Sequence, residues 1–376
     1  MRHMETPGTW DPPPERWSAL IKRLLDWHRP MLRDMPWRTT RDPYRIWVAE
    51  VMLHQTQVRT VIPYYHRFLE WFPTVQDLAA APLDSVLKAW EGLGYYARAR
   101  NLHVAAQRVI SCHGGKLPDT KEDLLLLPGI GDYTAGAILS IAFGQHHPAL
   151  DGNVVRVLCR VFDVSEPPSR SHVREKLWDL AARLLPRGRA SDFNQAMMDL
   201  GATLCAPRRP RCDLCPWASE CRANSQNLQE KRPVKAARRR LPHYDIAVGV
   251  ISRDNGEVLI AKRPPEGLLG GLWEFPGGKI EKGETPAEAL IREAREELRI
   301  VIDQTEPFTV VPHAYTHFKV TLNVLRAHWV SGEPQCCGCT DWRWEKITNL
   351  SRYAFPSATK KIIAALHKDV VRTGPC

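Results

Sequence analysis

A chain of 376 residues is long enough for two or more domains, each with its own buried core. Its 52 Lys and Arg against 42 Asp and Glu leave a net charge of +10, which favours a polyanionic partner. It has no run of about 18 apolar residues, so no spanning helix is expected, and ten cysteines without an apolar signal core argue for metal ligation before disulfides.

Residues 1–16 are polar and Pro-rich and read as disordered. Apolar spacing predicts helices over 17–28, 44–58, 63–72, 83–91 and 97–112, with a loop at 36–44. A short helix over 121–127, the turn Pro128-Gly129-Ile130-Gly131 and a small-residue helix over 133–143 form a helix–hairpin–helix. Gly129 and Gly131 allow positive φ and leave no Cβ between the backbone and whatever approaches it; N–H groups at a helix start can hold a phosphate. Further helices are predicted over 154–162, 171–185 and 191–204, and no strand pattern occurs before about residue 240. The polar, basic stretch 223–243 reads as a linker, either lying near phosphates or simply solvated. Beyond it the chain becomes α+β: strands over 246–252 and 258–262 flank Asp254-Asn255-Gly256, 285–298 is an amphipathic helix, and 309–325 alternates like paired strands.

Four features carry chemistry. Glu50 lies in an otherwise apolar helical stretch. Burial there would raise its pKa, as a general acid near neutral pH requires, although an ordinary exposed glutamate fits the same spacing. Asp151, in Asp151-Gly152-Asn153 ahead of a Val/Leu-rich helix, is placed as an N-cap or as a functional carboxylate beside the hairpin. Cys205, Cys212, Cys215 and Cys221 fall within one short stretch whose spacing suits zinc or an iron–sulfur cluster, with Arg208, Arg209 and Arg211 interleaved. Cys336, Cys337 and Cys339 are too close together for a full site and read as free thiols in a loop. Finally, Glu293, Glu296 and Glu297 share one helix face, where they repel unless a divalent cation or a neighbouring Arg offsets them; such a face suits Mg²⁺ on a diphosphate.

The hairpin followed by Asp151 resembles the helix–hairpin–helix–Gly/Pro…Asp superfamily of base-excision glycosylases. The neighbouring motifs resemble its adenine DNA glycosylase branch, over about residues 17–330. That resemblance implies an all-α helix–hairpin–helix DNA glycosylase over 17–222, followed by an α+β Nudix-like domain over 244–376. Within the first, a six-helix barrel takes 37–145 and an iron–sulfur cluster domain takes 17–36 with 146–222. By the same resemblance Glu50 protonates adenine N7, Asp151 stabilises the oxocarbenium ion, and Asn153 orients Asp151. Tyr133 stands where bifunctional relatives such as endonuclease III carry a Schiff-base lysine, which implies a monofunctional enzyme.

Trp37, Arg38, Leu53 and Gln195 match the family's adenine pocket, and Gln55 and Tyr95 the residues that wedge into the duplex. His54 departs from a usual Gln. The four spaced cysteines match a [4Fe–4S] loop, and Tyr315, Thr316 and His317 match the element that reads 8-oxoguanine. The Nudix box keeps Gly278, Glu284, Arg292, Glu293, Glu296 and Glu297, with Arg299 replacing its last Gly, so Mg²⁺ is a candidate cofactor there. The expected partner is double-stranded DNA carrying adenine opposite 8-oxoguanine or guanine, and the expected enzyme is a cytoplasmic, nucleoid-associated monomer. Two alternatives remain at this point: a box that also hydrolyses an oxidised nucleoside triphosphate, or a damage-binding protein with inert carboxylates.

Overall fold

The computed structural model describes residues 14–31, 34–235, 241–315 and 318–373. Twelve helices come first: α1 Pro14–His28, α2 Pro43–Leu53, α3 Val58–Trp71, α4 Val75–Ala80, α5 Leu83–Ala89, α6 Ala97–His113, α7 Lys121–Leu125, α8 Asp132–Ile141, α9 Gly152–Val161, α10 Ser171–Leu184, α11 Ala190–Thr203 and α12 Arg222–Ser225. An α+β part follows, with β1 His243–Ser252, β2 Glu257–Lys262, β3 Trp273–Glu274, β4 Gly277–Lys279, α13 Pro286–Leu298, β5 Val301–Ala314, β6 Lys319–Ser331, β7 Asp341–Lys346 and α14 Ser357–Thr373.

The boundaries differ from the predicted ones for local reasons. Asp42 caps α2 by accepting from the N–H groups of Tyr44 and Arg45, with Pro43 in the first turn. The helix stops at Leu53, short of the predicted 58, because His54 leaves the helical conformation at ψ 111 and Gln55 follows in a left-handed one at φ 59. α3 starts at Val58 and runs through Pro63 rather than beginning there. α4 is too short to show a period; a reciprocal capping box between Thr74 and Asp77 holds it. The single turn of α12 overlaps the start of the predicted linker, whose residues 236–240 lie outside the described residues.

The chain forms two compact units, Met1–Tyr65 with Ala105–Arg238, and His66–Val104 with Arg239–Cys376. In the first, α1 packs with α9, α10 and α11 around Leu24, Leu158, Leu177 and Leu200. Trp217 is fully buried in that core, and its indole N–H donates to the Leu20 carbonyl at 2.8 Å. This core is the platform behind Asp151 and the four spaced cysteines.

In the second unit the sheet order is β3-β2-β1-β6-β5, with β4 also on β1 and β7 on β2. β1 and β6 run parallel, and β5 and β6 form the antiparallel pair that alternation predicted over 309–325, extended at both ends. Both faces are covered. Val248 and Val250 face a core with Phe355 and Ile362 of the α14 segment, whereas Ala247 and Ile251 face Leu290, Ala294 and Leu298 of α13. Among the described residues no helix is long and apolar enough to cross a membrane.

Candidate active site

Glu50 sits in the third turn of α2 and is 4% exposed. Its Oε2 accepts from the Tyr133 hydroxyl at 2.5 Å. Tyr133 lies in the first turn of α8, directly after the hairpin, so α2 and α8 place the carboxylate and the phenol together. Burial pushes the Glu50 carboxyl up to about 7 and Asp151 adds to this; the Tyr133 hydrogen bond and Arg38 act the other way. Burial, Glu50 and Asp151 also push the Tyr133 phenol well above its ordinary range, so it remains a donor.

Asp151 is both the cap and the half-buried end of a buried network. Its Oδ1 accepts from the Val154 N–H at 2.7 Å, which starts α9, and its Oδ2 accepts from the Asn153 amide at 2.7 Å. Burial raises its pKa, opposed by those two hydrogen bonds and by Arg156. Asn153 is itself held: its Oδ1 accepts from Arg156 Nη2 at 2.8 Å, and Arg156 also donates to the carbonyls of Cys205 and Gly201 at 2.8 and 2.7 Å. Asn194 fixes the approach to Asp151, accepting from the Ala149 N–H at 3.2 Å and donating to the His147 carbonyl at 2.9 Å. None of Arg156, Gly201 and Asn194 was singled out in the sequence, because their partners lie about 45 residues away along the chain.

Gly201 shows how tightly α11 meets the first turn of α9. A Cβ there would stand 2.5 Å from the Asn153 Cβ and 2.9 Å from its carbonyl oxygen, closer than real contacts allow. Gly201→Ala is therefore expected to displace Asn153, lowering stability by about 1–3 kcal/mol and slowing excision of base. Melting and single-turnover rates both unchanged would show that the contact is slack.

Arg38 reaches the same buried region. Its Nη1 pairs with Asp199 Oδ2 at 2.7 Å, and His28 Nε2 donates to that oxygen at 2.9 Å. Burial opposes ionisation of Asp199, but the His28 and Arg38 hydrogen bonds outweigh it and hold the carboxyl below its ordinary value. Trp37 is buried, edge-on to Tyr65 at 5.3 Å. Leu53 and Gln195 are half-buried; the Gln195 amide donates to Ser191 Oγ at 3.1 Å. Gln55 is exposed, and His54 Nε2 contacts Thr134 Oγ1 at 3.2 Å, so this departure from a usual Gln ties α2 to α8. In the hairpin Gly129 has φ 81, whereas Gly131 has φ −108 and caps α8. The expected positive φ thus applies to Gly129 alone; a Cβ on Gly131 would face open space.

In the second unit Tyr95 is exposed at φ 49 with the Arg98 guanidinium 5.4 Å over its ring. Tyr315 is half-buried against Phe318, with ring centroids 4.8 Å apart; Thr316 and His317 lie outside the described residues.

Cys205, Cys212, Cys215 and Cys221 are unpaired and line one apolar cavity. The buried Arg160 donates to Cys205 Sγ at 3.2 Å and to the carbonyls of Cys205 and Ala206. Among the described residues no three His, Cys, Asp or Glu side chains are gathered to hold a single metal ion. A cluster asks for a different arrangement, one thiolate to each corner iron, with a hydrogen-bonded cation as a fitting neighbour for its negative charge.

On α13 a neighbouring Arg offsets two of the three carboxylates, Glu293 and Glu296, but not Glu297. Arg292 pairs with Glu284 at 2.8 Å, Glu293 at 3.0 Å and Glu296 at 3.2 Å. A Cβ on Gly278 would overlap the Glu293 carboxylate at 2.0 Å, so a larger residue there would have to push that side chain aside. Burial pushes Glu297 up to about 7, with Glu293 and Glu274 adding to it. Arg299 caps the helix at φ 58, a left-handed position that favours Gly.

Comparison with known proteins gives the setting of this geometry. The family model described as HhH-GPD superfamily base excision DNA repair protein matches residues 48–183, and that of the NUDIX domain matches 247–365. The adenine DNA glycosylase of Rattus norvegicus is 37% identical, over 96% of this chain and 80% of its own length. A thermostable thymine-DNA glycosylase shares 32% identity at a TM-score of 0.52, over 56% of this chain and 98% of that one. An endonuclease III trapped covalently on DNA shares the fold, at 24% identity and a TM-score of 0.51, over 58% of this chain and 100% of that one. The fold is thus a helix–hairpin–helix glycosylase joined to a Nudix-like α+β domain, and the chain belongs to the adenine DNA glycosylase family.

Proposed function

We propose that this enzyme excises adenine from duplex DNA and leaves an abasic site, with Glu50 as proton donor and Asp151 as the anion beneath the sugar. One observation carries the reading: burial pushes both carboxyls up, but their partners differ, and those of Asp151 favour its anion more. Glu50 is buried with one neutral donor, Tyr133; Asp151 takes two hydrogen bonds and faces Arg156. Such a pair divides acid and anion roles. The target base leaves the stack to reach them, with Trp37, Arg38, Leu53 and Gln195 shaping its pocket and Gln55 and Tyr95 filling the gap in the duplex.

Glu50 gives its proton to N7, the C1′–N9 bond breaks with its electron pair going to the base, and positive charge spreads over C1′ and the ring oxygen. Asp151, oriented by Asn153, stabilises that cation until water adds to C1′ and loses a proton. Tyr133 carries no amine, and its hydroxyl already serves Glu50, so no imine to the sugar forms. Borohydride should therefore fail to trap wild-type enzyme on abasic DNA, whereas Tyr133→Lys should trap. Trapping of the wild type would contradict the monofunctional assignment.

Cys205, Cys212, Cys215 and Cys221 would hold a [4Fe–4S] cluster, which supplies a structural tie for the loop carrying Arg208, Arg209 and Arg211. The cavity these four cysteines share and the Arg160 hydrogen bond to Cys205 Sγ support this. About four irons per chain are expected after anaerobic preparation, and one zinc without iron would overturn the assignment. The hairpin N–H groups at Gly129 and Gly131 are placed to take a phosphate.

The Nudix-like domain reads the opposite strand through Tyr315, Thr316 and His317, and the partner of adenine is 8-oxoguanine or guanine. Because Arg292 already pairs with Glu284, Glu293 and Glu296, we read the acidic face as a remnant rather than a Mg²⁺ hydrolase site. The enzyme acts as a monomer at the nucleoid. The test is release of free adenine from duplexes pairing it with 8-oxoguanine, guanine, cytosine or thymine. Release from the first two is expected, with strand breaks only after alkali; equal release from the adenine–thymine duplex would refute the specificity.

A further inference from the structure

Cys336, Cys337 and Cys339 belong to neither site above. They lie in the loop between β6 and β7, in the order Cys336-Cys337-Gly338-Cys339. Cys336 Sγ and Cys339 Sγ are 2.8 Å apart, closer than two sulfurs pack without bonding. A small side-chain movement would bring them to the roughly 2.05 Å of a disulfide.

The contact is built into the fold. The loop docks on the C-terminal end of α13, where carbonyls lack helical partners. The N–H groups of Cys337 and Gly338 donate to the Glu297 carbonyl at 3.0 and 3.3 Å, and that of Gln335 donates to the Leu298 carbonyl at 2.9 Å. A Cβ at Gly338 would stand 3.1 Å from the Glu297 side chain, so Gly lets the loop lie this close. The two thiols differ. Cys336 is exposed. Cys339 is half-buried, and burial together with Cys336 and the Glu297 carboxylate pushes its thiol up to about 12, which keeps it protonated.

We propose that Cys336 and Cys339 form a modification site, a dithiol that a small-molecule disulfide oxidises to an intramolecular disulfide. The Cys336 thiolate attacks one sulfur of the oxidant, forming a mixed disulfide and expelling one thiolate. Cys339 then gives up its proton and attacks Cys336 Sγ, forming the internal bond and expelling the second thiolate. Two cysteine thiols are oxidised and one disulfide is reduced to two thiols. The crosslink closes a loop of four residues on the end of α13, so its constraint is local.

The test uses the full chain treated with glutathione disulfide, then iodoacetamide, proteolysis and mass analysis. In the wild type the 336–339 peptide should be two hydrogens lighter. Cys336 and Cys339 should resist alkylation until a reductant is added, while Cys337 is alkylated. Cys337→Ser should behave alike. Cys339→Ser should stop with one glutathione on Cys336, and Cys336→Ser should form no disulfide in this peptide. Full alkylation of Cys336 and Cys339 after oxidation, a bond involving Cys337 in the wild type, or a lasting glutathione adduct on wild-type Cys336 would each overturn the proposal.

Discussion

Glu50→Gln is expected to bind duplex DNA like the wild type and to slow base excision roughly 10²–10⁴-fold in single turnover. Gln keeps the volume and an oxygen to accept from Tyr133, so α2 and α8 stay joined; what it loses is the proton to give. The same change should raise stability. The folded pKa of Glu50 is about 7 against an ordinary 4.5, so between those values the folded chain holds a proton that the unfolded chain has released. The stability tied to this group is full below 4.5 and lost as pH rises through about 7, on the order of 3 kcal/mol. Above that pH, Glu50→Gln should melt at a higher temperature than the wild type while excising almost nothing. Near wild-type excision would remove Glu50 from the role of acid.

Asp151→Asn is expected to cost about as much in excision, by a different route. Its carbonyl oxygen still accepts from the Val154 N–H, so α9 keeps its cap. The new amide, however, faces the Asn153 amide, donor against donor, where Oδ2 now accepts at 2.7 Å. The anion beneath the sugar is gone, and removing one preorganised stabilising charge costs roughly 10²–10³-fold. Single-turnover excision with bound DNA, measured beside the melting curve, separates this from misfolding. An active Asp151→Asn variant would place the charge stabilisation elsewhere.

Much of this was legible in the sequence. The hairpin glycines, the cap at Asp151 and the unbroken period of α8 and α9 are local signals. Burial of Glu50 was not decided by its helix, because one carboxylate on an apolar stretch fits exposure as well; α8 bringing Tyr133 over it decides the matter. The break of α2 before Gln55 carries no Gly or Pro, so periodicity ran past it. Least legible were Arg156 and Gly201, whose use comes from α11 crossing α9. A sequence shows an arginine and a glycine there, and only packing turns one into the brace of Asn153 and the other into the space it needs. The pairing of Cys336 with Cys339 is similar: the spacing was visible, but the dock on α13 was not.

The central claim is that a buried, protonated Glu50 delivers the proton that releases the base. The most direct measurement is the single-turnover rate of adenine excision, with DNA fully bound, from about pH 6 to pH 9. Burial holds the Glu50 carboxyl at about 7, so the rate should be high on the acid side and fall about tenfold per pH unit above it. A rate that stays level or rises across that range would contradict the account.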